Sequence, residues 1–288
     1  MARNIAKKIE SIRVKFLVDS VNSNTDLGIQ LKKTFEDVFN KKVNHFENTG
    51  GSLNDHYDLV IVCDDGSRFK CEEKGTNIYY QDFKEFTVPW SNSVQRFNGL
   101  GNKFSIGLKY ATLWYNLVVS DKDLCTEYGI KSPIPSLDEW LKLDAFQCGN
   151  PKTSWGIELK TNYREKYNKS SMNGKLNSPK DYRLLVNQQF DFTYTDKIIL
   201  IKETQGILDY IMDEKDCWLQ TCGVIEDKIN FKWHPKIISP KIIDIKLEWK
   251  EGADIYFIFI TENEKYNFKC ILRFGKGTGF SNIRFDIR

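Results

Sequence analysis

Asp58, Glu72, Glu73 and Lys74 are the residues of this chain best suited to joint chemistry: one acid, 13 intervening residues (59 to 71), then two acids and a lysine. The run YDLVIVC around Asp58 is rich in β-branched residues, DDG reads as a turn, and RFKCEEKG reads as a returning strand. Strand side chains alternate, so Lys70, Glu72 and Lys74 share one face while Phe69, Cys71 and Glu73 share the other. The face with Phe69 and Cys71 belongs in a core. Glu72 and Lys74 then look into a cleft together, and Glu73 is expected near the strand end, where it escapes to water.

The turn decides which residue Asp58 meets. A three-residue loop, Asp64-Asp65-Gly66 with Gly66 left-handed, pairs Cys63 with Ser67 and sets Asp58 opposite Glu72. A two-residue Asp65-Gly66 turn sets Asp58 opposite Glu73 instead. The longer loop is favoured because it assembles a site. Two carboxylates on one face repel unless a cation lies between them, and hard oxygen ligands suit magnesium. Magnesium could polarise a phosphodiester oxygen and acidify a water, while the Lys74 ammonium could orient that water or stabilise the transition-state charge. Phosphodiester hydrolysis is the reaction this points to. The plain alternative is a salt-bridged, solvated hairpin.

Several elements must position these residues. The segment 25 to 39 spaces Leu27, Leu31, Phe35 and Val38 as an amphipathic helix, with Thr25 or Asn24 as cap. Residues 103 to 119 form a second broad helical pattern, and Ser136 is placed to cap a short helix ahead of Leu137 and Trp140. The stretch 160 to 183 is polar and basic and reads as a long loop or flap. From 196 to 213 the pattern is helical, although its apolar start could be a short strand. KIIDIKLEW, DIYFIFITE and YNFKCILRF read as a meander of strands near the end. The expected organisation is a core over 1–120 containing the hairpin, a connecting region over 121–180 and a C-terminal α+β part over 181–288.

Composition limits the remaining options. With 42 Lys and Arg against 39 Asp and Glu the formal charge is +3, which permits a nucleic-acid partner without arguing for one. No apolar run reaches the roughly 18 residues of a membrane span, and the first residues lack a secretion signal, so an intracellular setting, cytoplasmic or nuclear, is expected. Seven cysteines fit reduced thiols better than a disulfide framework. Cys217, Cys222 and His234 have the wrong spacing for the tight pairs of structural zinc sites. Three histidines leave little for a His-based hydrolase, and neither a P-loop nor a GxSxG elbow is present. A second acid-x-Lys at Glu158 and Lys160, with Asp144 upstream, lacks strand-like flanks and a tight turn. Basic side chains in two polar stretches are candidates for phosphate contacts: Arg164, Lys166 and Lys169 in the first, and Arg273, Lys276 and Arg284 near the glycine-rich end.

The hairpin residues also carry a resemblance. Asp58, the gap and Glu72-Glu73-Lys74, following an acidic helix, are similar to the core motif of the PD-(D/E)xK nucleases, with Tyr57 where the name-giving proline would stand. In order of elements the likeness spans about residues 25 to 120. It implies an α/β fold, a restriction-endonuclease-like core with a central mixed β-sheet flanked by helices, joined here to a strand-rich C-terminal part. It further implies Mg2+ dependence, double-stranded DNA as substrate, and Asp58, Glu72 and Lys74 as the catalytic set. In several such enzymes a helical glutamate adds a metal ligand, and Glu36 is the candidate. The residues beyond the core, free of helicase or ATPase motifs, suggest target recognition of the type II restriction kind, for which a homodimer is the expectation. The rival readings are a non-catalytic DNA- or protein-binding module and a repair or recombination nuclease without sequence preference.

Overall fold

The computed structural model describes residues 2–49, 57–77, 101, 104–146, 151–167, 182–222, 229–249, 255–274 and 283–287. They form a mixed α/β chain that divides into two units, one of residues 1–90 and 206–239, the other of 91–205 and 240–288. This partition differs from the linear one expected from sequence, because residues 206–239 return to the unit that holds the hairpin.

In the first unit, helix α1 (Ala2–Asn22) turns into α2 (Asp26–Phe39). Thr25 caps α2 by accepting from the Gly28 N–H, and Asn40 closes it in the left-handed region. The two helices meet at Gly28, where a Cβ would stand 2.0 Å from the Ser20 carbonyl oxygen. Strands β1 (Val43–Asn48), β2 (Leu59–Cys63) and β3 (Arg68–Asn77) follow. β4 (Cys217–Cys222) and β5 (Asn230–Pro235) complete a five-stranded sheet in the order β1-β2-β3-β4-β5. Every pairing is antiparallel except β3 with β4. A parallel neighbour needs a long crossover, which explains how β4 can lie so far along the chain from β3.

Val14, Leu17 and Val21 of α1 and Leu31 and Phe35 of α2 share one core with one sheet face. That face presents Phe46, Leu59, Ile61, Cys71, Cys217, Leu219 and Trp233. Phe35 stands edge-on to Phe69 at 5.3 Å and to Trp233 at 5.1 Å, so truncating it to Ala should cost about 3–5 kcal/mol. The Trp233 indole N–H donates to Thr34 at 3.2 Å.

The second unit begins with α3 (Ser105–Trp114), which continues as a π-helical turn over Tyr115–Val119. The short helices α4 (Lys122–Glu127) and α5 (Leu137–Leu143) are capped by Asp121 and Ser136. Then come α6 (Ser154–Tyr167), α7 (Tyr182–Gln189) and α8 (Tyr194–Asp213), whose final turns are grouped with the first unit. Glu203 of α8 accepts from the Ser105 N–H at 3.0 Å and from its hydroxyl at 2.9 Å, satisfying the start of α3. Strands β6 (Ile242–Trp249), β7 (Ile255–Thr261), β8 (Phe268–Phe274) and β9 (Ile283–Ile287) form an antiparallel meander. Phe257, Phe259, Phe268 and Phe285 pack within it.

One further expectation, the loop over 160–183, changes here. Residues 160–167 continue α6 rather than opening a loop, because Trp155 and Leu159 give that segment a buried side, while 168–181 lie outside the described residues. The apolar start of the 196–213 segment is helical. Among the described residues no helix is long and apolar enough to cross a membrane.

Candidate active site on the β2–β3 hairpin

The hairpin closes through a three-residue loop. Gly66 has φ +80°, its N–H reaches the Cys63 carbonyl at 3.0 Å, and the Cys63 N–H reaches the Ser67 carbonyl at 2.9 Å. Only Gly adopts that φ without strain, so the loop length follows from DDG. Pairing then runs from Val62 with Arg68 to Leu59 with Cys71, the register of the three-residue loop, and Asp58 lies just before the first paired residue of β2. The Asp58 N–H donates to the Cys71 carbonyl at 3.0 Å, and its Oδ2 accepts the Glu73 N–H at 2.9 Å. Backbone hydrogen bonds therefore fix this carboxylate against β3.

Alternation along β3 separates the adjacent glutamates. Glu72 and Lys74 lie on the face away from the helical core, and Lys74 Nζ is 2.5 Å from Glu72 Oε1. A second ammonium joins them: Lys215 Nζ stands 3.6 Å from Glu72 Oε2, donates to the Ile211 carbonyl at 2.9 Å and lies 5.4 Å from the Trp218 ring centroid. Glu72 and Lys74 are each 7% exposed and Lys215 only 1%. Burial pushes the Lys215 pKa below the usual lysine value; Glu72 opposes that shift and Lys74 adds to it. The parallel register continues this face onto β4, setting Trp218 beside Glu72 and Gln220 beside Lys74. His234 of β5, opposite Trp218, contacts Gln220 Oε1 through Nε2 at 3.0 Å. Burial, helped by the Lys232 charge, lowers the His234 pKa to about 4, so its ring is neutral near pH 7.

Glu73 corrects the expectation of escape to water. It is 1% exposed, takes a two-pronged ion pair from Arg13 of α1 at 2.7 Å on each oxygen, and accepts from the Thr221 hydroxyl. Strand β3 runs on to Asn77 and is paired with β4 from Cys71 onward, so position 73 lies inside that pairing rather than at a strand end. Cys71, on the same face, is fully buried beside Cys217, and burial holds its thiol well above the ordinary value and protonated.

The structure joins Glu72 with Lys74, holds the Asp58 carboxylate at the Glu73 N–H of the same strand, and leaves the other candidates elsewhere. Glu36 is exposed on α2, which packs on the Cys71 face of the sheet, opposite the face of Glu72, so it is not a ligand beside that carboxylate. Asp144 is buried and accepts from the Thr153 N–H at 3.2 Å and from its hydroxyl, holding the connection between α5 and α6. Glu158 accepts the Ser132 N–H at 2.8 Å from within α6, where positions two apart diverge, so the Glu158/Lys160 pattern makes no second site. Cys217 and Cys222, at opposite ends of β4 and five positions apart, face opposite sides and cannot share a zinc ion. Arg164 and Lys166 belong to α6, Arg273 and Arg284 are cross-strand partners on β8 and β9, and Lys169 and Lys276 lie outside the described residues.

Sequence reasoning missed Lys215 and Gln220 and weighed His234 only beside Cys217 and Cys222. Their place depends on β4 pairing in parallel with β3, and no local pattern announces that pairing. Among the described residues no group of three or more His, Cys, Asp or Glu is gathered for a metal ion. Asp58 and Glu72 would be the residues to hold magnesium, which takes one or two protein carboxylates and keeps several waters. Comparison with models of protein families, with curated proteins and with solved structures found no match.

Proposed function

We propose that the protein is a magnesium-dependent endonuclease of the PD-(D/E)xK kind that hydrolyses phosphodiester bonds in double-stranded DNA at specific sites. The observation that supports this reading is the hairpin with its three-residue turn, in which Lys74 meets Glu72 and the Asp58 carboxylate accepts from the Glu73 N–H of the neighbouring strand. The mixed five-stranded sheet with α1 and α2 on one face is compatible with a restriction-endonuclease-like core. In this reading Asp58 and Glu72 hold the cation, which supplies Lewis-acid polarisation of a phosphoryl oxygen. Lys74 orients the attacking water and stabilises the charge that develops on the phosphate. Both lysines exclude bulk water from Glu72, strengthening every charge interaction there. A homodimer provides one such site per strand of a symmetric target.

One observation favours a second reading. Glu72 has an ammonium at each oxygen and is 7% exposed, the arrangement of a structural ion cluster in a non-catalytic binding module. Incubating supercoiled plasmids of varied sequence with the protein in magnesium or in EDTA decides between them. Discrete magnesium-dependent fragments support the proposal, a smear supports a nuclease without sequence preference, and intact DNA in both conditions supports the binding module.

A further inference from the structure

Each oxygen of Glu72 meets a different lysine, and the two contacts are unequal. Lys74 Nζ is within hydrogen-bond distance of Oε1 at 2.5 Å, whereas Lys215 Nζ is 3.6 Å from Oε2, a Coulombic contact without a hydrogen bond. Lys215 is also held independently. Its ammonium donates to the Ile211 carbonyl at 2.9 Å and lies near the Trp218 ring, so it keeps two partners if Oε2 is taken by another cation. At 1% exposure the side chain has no route to water without moving the chain around it. Of the two lysine contacts the one at Oε2 is the longer, and the charge that makes it is fixed in place.

We propose that Lys215 is the resident counter-ion of Glu72 Oε2, that an incoming divalent cation displaces it from that oxygen, and that its retained charge weakens cation binding. This rests on the reading of Asp58 and Glu72 as a metal centre. Lys215 acts through Glu72 and is a positioning residue. Its charge holds the Glu72 carboxylate in place before the cation arrives, and then opposes the cation by repulsion across a short distance. Cation affinity is thereby lowered while the carboxylate stays where Lys74 and Lys215 hold it.

The test is direct Mn2+ binding to the full chain, read from the loss of the free-ion electron paramagnetic resonance signal and requiring no turnover. Wild type is compared with Lys215→Met, which keeps the length of the side chain without its charge, and with Lys215→Gln as a polar variant where Met perturbs folding. Circular dichroism verifies each fold. Removing one unit charge a few ångströms from the cation should tighten Mn2+ binding roughly tenfold. Glu72→Gln should abolish the high-affinity site in wild type and in the Lys215 variants alike. A purely structural lysine predicts the opposite sign, since its loss loosens Glu72 and weakens binding. Unchanged or weaker Mn2+ binding in folded Lys215 variants overturns the inference and leaves the metal centre intact. No Mn2+ binding by wild type overturns the metal centre itself.

Discussion

Glu73→Ala should destabilise the hairpin unit rather than remove a group from the chemistry. The side chain is 1% exposed, and Arg13, its bidentate partner at 2.7 Å, has a side chain 13% exposed. Removing one member of a buried pair typically costs about 3–5 kcal/mol, because the remaining charge keeps its desolvation penalty without its partner. Arg13 retains a route to water, which trims the expected loss to about 2–4 kcal/mol, against a total stability of roughly 5–15 kcal/mol. Urea denaturation followed by far-UV circular dichroism reads this as a lower midpoint with an unchanged slope. Arg13→Met should lose a similar amount, and the double variant Arg13→Met/Glu73→Ala less than the sum, since each single change already breaks the same pair. A stability within about 0.5 kcal/mol of wild type for Glu73→Ala refutes the placement of Glu73 on the helical face. A stable variant that loses magnesium-dependent cleavage would show that Glu73, not Glu72, belongs with Asp58.

Three further outcomes are expected. Asp58→Ala and Glu72→Ala each abolish magnesium-dependent plasmid cleavage, and full cutting by either removes that residue from the site. Lys74→Ala lowers single-turnover cleavage at saturating enzyme by roughly two or more orders of magnitude while DNA binding in calcium changes little; a native saturated rate makes Lys74 a phosphate-positioning residue only. His234 makes stability depend on pH. Its folded pKa near 4 lies below the usual 6.5, so the unfolded chain binds the extra proton first. The stability that neutral His234 provides is complete above pH 6.5 and falls as pH drops from 6.5 towards 4, by about 1–2 kcal/mol after allowance for partial exposure. His234→Gln should flatten that part of the urea midpoint against pH, and an unaltered pH profile sinks the assignment.

The hairpin was legible because two independent rules agree on it. DDG needs a glycine at a left-handed position, and alternation in RFKCEEK admits only one face for Phe69 and Cys71. The same alternation assigned Glu72 and Lys74 correctly. It also put Glu73 on the buried face, but the end of the strand was misjudged, because β3 is prolonged by a parallel partner that begins at Cys217. Nothing in CWLQTC marks a central strand: it mixes Gln and Thr with apolar residues, and all six positions are buried. Helix α1 did carry a readable pattern in Val14, Leu17, Val18 and Val21 at helical spacing.

Two adjacent acids cannot face the same side of a strand, so EEK forces a division of roles. Glu73 turns to α1 and takes Arg13, while Glu72 turns away and takes Lys74 and Lys215. The two faces remain connected through one peptide unit, because the Glu73 N–H that Asp58 Oδ2 accepts belongs to the residue whose side chain Arg13 grips. Gly75 supports this from the same strand: a Cβ there would come within 2.5 Å of the Arg13 guanidinium, so the missing side chain makes room for the cation against β3. The helix packed behind the sheet therefore sets the backbone that orients the carboxylate in front of it. A change at Arg13 or Gly75 should reach Asp58 through that hydrogen bond, although neither residue shares its face.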